Sequence, residues 1–474
     1  MIRRVGRPEA VVWAMAAVYA GVFSYLSVAR QRAFWTGRFD VGNMVQAVWS
    51  TAQGRPLETT DIAGRQFTRL GAHVDPILVL FTPLTWTGHL PEALLVSQAV
   101  IVAAGALPAF WLGRRWLGDD RFAVAAAAVY LLYPPLQWAT VTEFHPVTLA
   151  APLLMFCIWA AEERRYTTLT VLAVLAALTK EEVGLALAVL GVWMFVRGTG
   201  RRYGPLLALA SVAWVAFAMK VVIPHFNEGR PSEFSDRYRI DSPWEAVQFV
   251  AGYDRLSYLG AILIPLLFLP LLAPLLAAGA LPEILLNVLA DYFPQYSIEF
   301  QYVAVVVPFV VAASILGLAR LLRADLPGPM AWLAGHTGGV IGVWVGMVVL
   351  SGVYLGPLPW WGAVPAVGSD QRTEQFDVTE HSRAMARAVA LIPDGVPVSA
   401  GNLLAAHLSE RERVYTFPVI GDARWIVVDA RRPYLADRLL PRSHAVRLAA
   451  LVARPDIERV FEEDGVSVFR RTGP

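Results

Sequence analysis

Long apolar segments separated by short polar turns recur along most of the chain. A membrane-spanning helix needs about 20 apolar residues. Segments that fit this requirement, some of them shorter, cover residues 9–30, 94–112, 122–138, 146–161, 167–179, 183–196, 205–223, 256–269, 271–290, 303–319 and 340–355. The pattern predicts an all-α polytopic membrane protein with about 11 transmembrane helices. Residues 76–86 are too few to span and include Pro83, which favours a re-entrant or interfacial helix.

The hydrophobic pattern changes after residue 355. Apolar residues at helical spacing predict a helix over residues 379–392, and residues 433–453 predict a second helix. Residues 396–400, 425–429 and 466–470 read as strands, with Asp464-Gly465 as a hairpin turn before the last strand. We therefore predict a transmembrane domain over residues 1–355, with an outer first loop over 31–75, and a small soluble α/β domain over 356–474.

Composition supports a lipid environment. Hydrophobic residues make up 56% of the 474 residues and charged residues only 16%, whereas soluble proteins have about 25% charged residues. The net charge of +2 gives no reason to expect a nucleic-acid partner. Cys157 is the only cysteine, so a disulfide within the chain is excluded.

Arginine clusters in the short loops predict the orientation. They comprise Arg3, Arg4 and Arg7; Arg114, Arg115 and Arg121; Arg164 and Arg165; Arg197, Arg201 and Arg202; and Arg320 and Arg323. With the eleven spans above, all five clusters fall on one face, which the positive-inside rule makes cytoplasmic. The N-terminus is then cytoplasmic, and the first loop and the C-terminal domain are extracytoplasmic.

Four polar clusters fall on the predicted outer side, where ionisable groups at the membrane boundary suggest function. They are Arg38-Phe39-Asp40-Val41-Gly42-Asn43; Arg69-Leu70-Gly71-Ala72-His73-Val74-Asp75-Pro76; Glu143-Phe144-His145-Pro146; and Lys180-Glu181-Glu182. Each has a structural alternative. Asp40 can cap the amphipathic helix that follows it, the two proline motifs can be helix starts, and Lys180 can snorkel to the interface.

The clusters together supply carboxylates, cations and imidazoles. Transfer of a sugar from a lipid phosphate needs a carboxylate that takes the acceptor's proton and cations that stabilise the departing phosphate. Both must lie at the membrane boundary, because the lipid tail holds the donor phosphate there. The sequence requires no cofactor. A divalent metal on His73, Asp75, Glu143 and His145 is chemically compatible, although no spacing among them is a known metal signature.

Several motifs carry a resemblance to a known family. They include Phe39-Asp40-Val41-Gly42, Gly54-Arg55-Pro56, Gly71-Ala72-His73-Val74-Asp75-Pro76, Tyr133-Pro134, Glu143-Phe144-His145-Pro146, Lys180-Glu181-Glu182, Leu281-Pro282 with Asn287, and Asn402-Leu403-Leu404 through His407-Leu408-Ser409. The chain resembles an uncharacterised bacterial membrane family catalogued as a domain of unknown function. That family is similar to the GT-C superfamily of polytopic glycosyltransferases, which use polyprenyl-phosphate sugars and keep an essential acidic residue in the first outer loop.

The resemblance implies an inverting glycosyltransferase of the bacterial cytoplasmic membrane that acts on a glycan, lipid or protein acceptor of the cell envelope. Asp40 matches the essential acid and is the expected base. Many GT-C enzymes pair two acidic residues in this loop, but no acidic residue adjoins Asp40 here. The other expected roles are donor-phosphate binding by Lys180, Arg65 and Arg69, and a pocket lined by His73, Asp75, Glu143, His145, Glu181 and Glu182.

Two other functions fit parts of the same pattern. A transporter or lipid flippase would have charges deep within several spans and related halves of the chain. A non-catalytic membrane assembly protein would use its C-terminal domain to bind a partner, and its outer clusters would not converge on one pocket.

Overall fold

The computed structural model describes residues 6–238, 242–323, 336–360, 371–433 and 444–472. Arg3, Arg4 and residues 434–443 of the predicted helix over 433–453 lie outside the described residues. The chain is mostly helical. The α-helices are α1 Arg7–Arg32, α2 Asn43–Ala52, α3 Leu90–Ala104, α4 Ala106–Leu117, α5 Asp120–Leu132, α6 Pro134–Val141, α7 Ala150–Glu162, α8 Tyr166–Ala177, α9 Val183–Arg197, α10 Tyr203–Phe217, α11 Ile223–Phe226, α12 Pro243–Ala251, α13 Tyr253–Leu263, α14 Pro274–Ala277, α15 Leu281–Leu289, α16 Val306–Arg323, α17 Thr337–Leu355, α18 Gln371–Glu374, α19 Glu380–Ala390, α20 Asn402–Ala405 and α21 His444–Val452.

Several of these helices are long and apolar enough to cross a membrane. Within the described residues they are Arg7–Arg32, Leu90–Leu117, Tyr203–Phe226, Val306–Arg323 and Thr337–Leu355. The pair α5 and α6 passes the same test together, with a bend of 47° between them. Pro146–Glu162, Tyr166–Ala177, Val183–Arg197 and Pro274–Leu289 are shorter apolar helices. The predicted count of about eleven spans stays a prediction.

The predicted span over residues 256–269 is broken. Helix α13 ends at Leu263, and a 3₁₀ turn over Ile264–Leu266 follows. Leu267 and Phe268 then adopt left-handed conformations, with φ of 53° and 55°. Pro265 and Pro270 lack the backbone N–H that would continue the helix, so no continuous helix covers this segment.

Close approaches between helices position the segments that carry the polar clusters. A Cβ on Gly191 of α9 would lie 2.4 Å from the carbonyl oxygen of Gly204 in α10, and a Cβ on Gly204 would lie equally close to Gly191. Small residues that let two backbones approach are typical of membrane helix pairs. Helix α16 is mostly buried at the centre, whereas α1, α10 and α17 expose most of their apolar surface.

Strands occur in the first loop and in the tail. They are β1 Glu58–Thr60, β2 Gln66–Thr68, β3 Val398–Ala400, β4 Val414–Thr416, β5 Trp425–Asp429, β6 Ile457–Glu463 and β7 Val466–Arg471. Strands β1 and β2 form an antiparallel hairpin. The tail sheet has the order β4-β3-β5-β7-β6, with β3 parallel to β4 and β5 and with β7 antiparallel to β5 and β6. This small C-terminal sheet domain confirms the expected fold class.

The sheet domain packs against the end of the first membrane helix. Phe34, just after α1, belongs to the same buried cluster as Met385 of α19, Leu404 of α20 and Val466 of β7. The first loop and the C-terminal domain therefore share one core, which places the tail directly beside the Asp40 segment.

Candidate active site

Asp40 lies in a short irregular turn between α1 and α2. Phe34 has a left-handed backbone (φ 58°) that ends α1, Gly37 is extended, and residues Arg38–Gly42 form a π-helical turn leading into α2. The Asp40 side chain is 38% exposed, and its Oδ1 lies 3.0 Å from Nε2 of His145. The turn thus presents an accessible carboxylate held by one imidazole.

A second carboxylate holds the backbone of this turn. Both oxygens of buried Glu143 lie 3.1 Å from the Gly37 N–H, and Oε2 accepts a 2.9 Å hydrogen bond from the Val41 N–H. The Asp40 side chain caps neither the turn nor α2, and its hydrogen-bond partner in the described part of the chain is His145. Glu143 accepts the hydrogen bonds from the backbone of the turn, so the Asp40 carboxylate is not needed to hold the turn and remains accessible to a ligand.

The two carboxyl groups influence each other. Burial, and then the negative charge of Asp40, raise the pKa of Glu143 well above its ordinary value, while the Val41 N–H, the Arg30 guanidinium and the Gly37 N–H act in the opposite direction. Glu143 therefore takes up a proton more readily than an exposed glutamate would, which relieves the repulsion between the two groups.

Gln98 of α3 fixes the segment that carries Glu143 and His145. Its Nε2 donates to the carbonyl oxygens of Thr140 (2.9 Å) and Glu143 (2.7 Å), and its Oε1 accepts a 2.9 Å hydrogen bond from the His145 N–H. Pro146 then opens a 3₁₀ turn over Pro146–Leu149. A buried amide that satisfies three backbone groups holds the His145 ring at the Asp40 turn.

The Lys180 turn forms a second charged cluster. Lys180 Nζ pairs with Glu182 and lies 5.5 Å from the centre of the Tyr302 ring. Glu181 accepts from the Val74 N–H at 2.8 Å and lies 3.0 Å from Nδ1 of His73. Burial would raise the pKa of Glu181, but His73, Lys180 and the Val74 N–H outweigh it and lower this pKa to about 2. Glu181 therefore holds the His73 loop as Glu143 holds the Asp40 turn.

The two arginines expected at the donor phosphate are engaged elsewhere. Arg69 and Asp75 form a buried ion pair, with Nε of Arg69 3.1 Å from Oδ2 of Asp75. Arg65 is 61% exposed and pairs with Asp61 at 2.7 Å, on the β1–β2 hairpin. The structure shows Arg69 bracing the start of the Pro76–Thr87 segment rather than facing Asp40.

An arginine and two tyrosines that sequence reasoning missed line the region between the two clusters. The Arg237 guanidinium lies 3.9 Å from the centre of the Tyr292 ring and donates to the Tyr302 hydroxyl at 3.3 Å. Burial and Tyr302 raise the pKa of Tyr292 to about 12, with Arg237 opposing and Asp40 adding to the shift. Tyr292 thus lies within the field of Asp40, and Tyr302 contacts Lys180. The aromatic-rich stretch after Asp291 was the available sequence signal.

The C-terminal domain contacts the Asp40 turn directly. Oδ1 of Asn402 accepts a 3.3 Å hydrogen bond from the Phe39 N–H, and a Cβ on Gly37 would lie 2.6 Å from Nδ2 of Asn402. The buried guanidinium of Arg38 donates to Thr416 Oγ1 at 2.9 Å and to the carbonyl oxygen of Thr60. A side chain at position 37 would therefore have to displace the Asn402 amide, and the tail forms part of the site.

The four residues considered as metal ligands are divided among separate partners. His73 contacts Glu181, Asp75 contacts Arg69, and His145 contacts Asp40. Within the described ranges, no group of three or more His, Cys, Asp or Glu residues has an arrangement that could hold a metal ion. The metal set weighed from the sequence is not assembled.

A family model described as "Predicted membrane protein (DUF2079)" matches residues 30–443. The chain belongs to this family. The match includes the Asp40 turn, the Glu143 and Lys180 segments and most of the C-terminal domain, as the motifs indicated. No curated protein matches the chain.

Solved structures relate this DUF2079 protein to a known fold. ArnT from Cupriavidus metallidurans bound to undecaprenyl phosphate has a TM-score of 0.52 and 13% identity, over 96% of this chain and 97% of that chain. The apo state of the same protein gives a TM-score of 0.46 and 14% identity, over 96% and 98%. The expected fold class, a mostly helical membrane domain with a small C-terminal sheet domain, is therefore confirmed, and the fold is ArnT-like. At this identity the likeness concerns the fold alone.

Proposed function

We propose that this DUF2079 protein is a membrane glycosyltransferase that transfers a sugar from a polyprenyl-phosphate donor to an acceptor of the cell envelope, with inversion at the sugar. The observation that carries the proposal is the Asp40 turn. It presents a partly exposed carboxylate that is oriented by His145 and is backed by buried Glu143. The likeness to a structure containing undecaprenyl phosphate, which extends over nearly the whole chain, supports the donor class.

Asp40 acts as the general base. A hydroxyl of the acceptor lies against Oδ2, because Oδ1 is occupied by His145 Nε2. The hydroxyl oxygen forms a bond to the anomeric carbon while its proton passes to Asp40. The bond between that carbon and the phosphate oxygen breaks, and both its electrons leave with the polyprenyl phosphate. A single displacement of this kind inverts the anomeric centre.

Arg237 and Lys180 stabilise the departing phosphate. Among the described residues, the contacts of Arg237 are with neutral groups, namely Gln295, Tyr302 and the rings of Phe234 and Tyr292. No carboxylate compensates its charge in this part of the chain, so the charge is available to an anion. Lys180 is shared with Glu182. Lys180 keeps the role expected from the sequence, and Arg237 takes the place of Arg65 and Arg69.

The remaining outer residues shape the pocket. His145 orients Asp40, Glu143 and Glu181 hold their backbone turns, and His73, Asp75 and Glu182 complete the charged wall. The C-terminal domain, through Asn402, closes the region beside Asp40 and contacts the acceptor. The contacts described above support these roles for the site as a whole.

The decisive experiment measures sugar transfer by the reconstituted protein from a radiolabelled polyprenyl-phosphate sugar to an envelope extract. Asp40→Asn keeps the shape of the side chain but removes the base, so transfer should fall by about 10²- to 10⁴-fold. Asp61→Asn is the matched control, because Asp61 lies in the same loop but pairs with Arg65, and it should retain transfer.

Full transfer by Asp40→Asn would exclude Asp40 as the base. If labelled lipid crossed the bilayer of proteoliposomes without any new glycosidic product, the transporter or flippase alternative would replace the proposed enzyme.

A further inference from the structure

A cavity of about 600 Å³ lies far from the Asp40 cluster, at the opposite end of α8 and α9 from the Lys180 turn. Helix α9 has 15 residues, which separates its two ends by roughly 22 Å. The residues of the cavity wall that matter most are Arg164, Tyr166, Thr199, Arg201, Arg202 and Leu206. The proposed function does not use this cavity, although its arginines belong to the clusters that predict the orientation.

The wall of the cavity is ordered by its own hydrogen bonds. The rings of Tyr166 and Tyr203 stack with their centres 4.9 Å apart. The Tyr166 hydroxyl donates to the carbonyl oxygen of Thr199 at 2.5 Å, and the Tyr203 hydroxyl lies 2.7 Å from Oγ1 of Thr170. The shape of this wall therefore exists before any ligand arrives.

Positive charge in the cavity is not compensated by acidic side chains. Arg164, Arg201 and Arg202 form no ion pair within the described residues, whereas the nearby Arg197 pairs with Glu162 at 3.2 Å. Each of these three arginines is exposed at the cavity. An anion would therefore meet several unneutralised guanidinium groups here, and arginine suits phosphate because it can donate two parallel hydrogen bonds.

Two further features of the polypeptide favour an anion. Helix α10 begins at Tyr203, and the side chain of its N-cap residue makes no capping hydrogen bond, so the positive end of the helix dipole lies at this end of the cavity. Thr199 is only 7% exposed, and its Oγ1 has no hydrogen-bond partner in the described part of the chain. An unpaired buried hydroxyl is costly unless a ligand or water satisfies it.

The same cavity opens onto apolar surface. Leu206 lines it and is 63% exposed, and Leu209, almost one helical turn further along α10, is 71% exposed. Helix α10 is largely unburied along its apolar length, as expected of a helix in contact with lipid chains. A ligand that fits must join an anionic group to hydrocarbon.

We propose that this cavity binds the phosphate headgroup of an anionic membrane lipid, on the face of the membrane opposite the Asp40 cluster. Arginines that only set the topology need charge and a position in a loop. They do not need a tyrosine-braced cavity, an unpaired buried hydroxyl and an adjoining lipid-facing helix, all of which a bound phospholipid explains.

The test uses the full-length protein reconstituted in nanodiscs of phosphatidylcholine with a minor fraction of phosphatidylglycerol. Native mass spectrometry then measures which lipid the protein retains. The wild type should retain phosphatidylglycerol in preference to phosphatidylcholine. Arg201→Gln with Arg202→Gln should weaken that preference by about tenfold to thirtyfold, because two charges near the lipid surface are removed.

Arg121→Gln with Arg165→Gln is the matched control, since both residues carry charges in loops on the same face but do not line the cavity. It should keep the preference. Arg164→Gln, a milder change in the cavity, should show a smaller loss than the double variant. Equal retention in the wild type and the 201/202 variant, or an equal loss in the control, would overturn the proposal.

A second arm separates the lipid from a soluble anion. Inorganic phosphate is titrated into the protein in neutral detergent, and binding is followed by calorimetry. We expect no saturable heat without a lipid tail. Saturable phosphate binding that disappears in the 201/202 variant would assign the cavity to a soluble phosphate and overturn the lipid headgroup.

Discussion

Individual carboxylates at the candidate site have different tasks, and burial decides which is which. Asp40 is accessible and contacts one imidazole, whereas Glu143 and Glu181 are buried and accept backbone N–H groups. A buried carboxylate that satisfies backbone donors holds a turn in place, and leaving those donors unpaired costs about 1–3 kcal/mol. Exposure and hydrogen-bond partners therefore distinguish Asp40, the proposed reacting group, from Glu143 and Glu181, which hold backbone turns.

Glu143→Ala should lower kcat of sugar transfer by about 10- to 100-fold, with little change in the donor KM, because the Gly37 and Val41 N–H groups lose their acceptor and Asp40 shifts. Glu143→Gln, which keeps one acceptor oxygen, should restore part of kcat. Steady-state kinetics measure the split between kcat and KM. Glu163→Gln, at the other end of the molecule, serves as control. A rise in KM alone would instead make Glu143 a binding residue.

Arg237→Gln should reduce kcat/KM for the donor by about 10²-fold, because a guanidinium that no carboxylate compensates among the described residues is removed from the phosphate. Arg237→Lys should recover part of this loss. Arg230→Gln is a close control: Arg230 lies in the same loop and pairs with Glu228 at the surface. Unchanged kinetics of Arg237→Gln would leave Lys180 as the remaining candidate for the phosphate.

At the scale of elements, the contact between the end of α1 and the C-terminal domain is the joint that completes the site. His407 stacks on Phe34 with ring centres 3.8 Å apart, and its Nδ1 lies 3.4 Å from Nε2 of Gln31. The ring is only partly buried, but its Nε2 is shielded and has no partner among the described residues. Burial lowers the pKa of His407 to about 4, against a smaller opposing effect of Gln31.

The lowered pKa of His407 predicts that the contact between α1 and the C-terminal domain weakens in acid. The pKa of His407 is about 6.5 when the C-terminal domain is separated from α1 and about 4 when the two are in contact. Between about pH 6.5 and pH 4, His407 therefore binds a proton in the separated form but not in the form with the contact. The contact between α1 and the C-terminal domain is therefore most stable above about pH 6.5. Its stability falls by about 1–3 kcal/mol as the pH drops toward 4, a range that allows for the partial exposure of the His407 ring. Hydrogen exchange of the α20 region at pH 7 and pH 5 measures the change.

His407→Leu keeps apolar contact with Phe34 and removes the titration, so the difference between pH 7 and pH 5 should shrink. His381, which lies between Asp429 and Asp464, is present in both proteins, and its contribution cancels in this comparison. An undiminished pH effect in the variant would place the titrating group elsewhere.

At the scale of the whole molecule, short helices limit how far apart the charged turns at their two ends can lie. Helix α9 is roughly 22 Å long, less than the hydrocarbon thickness of about 30 Å. The Lys180 turn at one end and the Gly198 loop at the other cannot both reach bulk water in a bilayer of ordinary thickness. At one end of α9, Lys180 and the two glutamates beside it are largely buried by other parts of the protein, including His73 and Tyr302. The arginines at the opposite end stay exposed.

The proposed topology can be tested by labelling. Single cysteines are introduced by Arg65→Cys and Arg201→Cys, in a protein whose own Cys157 is buried and is replaced by alanine. In intact cells, a membrane-impermeant maleimide should label the cysteine at 65 and should label the one at 201 only after permeabilisation. Labelling of both from the same side would exclude a site on the outer face, although the membrane fold would stand.

The sequence by itself determined the environment, the fold class and the segments that carry the chemistry. Apolar runs and polar clusters are local properties of the chain, so the long apolar helices, the β5 and β7 strands, the Asp464-Gly465 turn and the four polar motifs were all accessible to pattern reasoning. The family motifs pointed to the GT-C-like fold for the same reason: each is a short contiguous stretch.

Only the tertiary structure decided which of these groups meet. Asp40 and His145 are 105 positions apart, and nothing local distinguishes that partnership from one with His73. The sequence suggests that Arg69 binds phosphate, but in the folded chain Arg69 pairs with Asp75. Arg237 reaches the candidate site because its loop meets the segment that carries Tyr302. Pairing and burial depend on distances between remote segments, and those distances are set by packing rather than by any pattern along the chain.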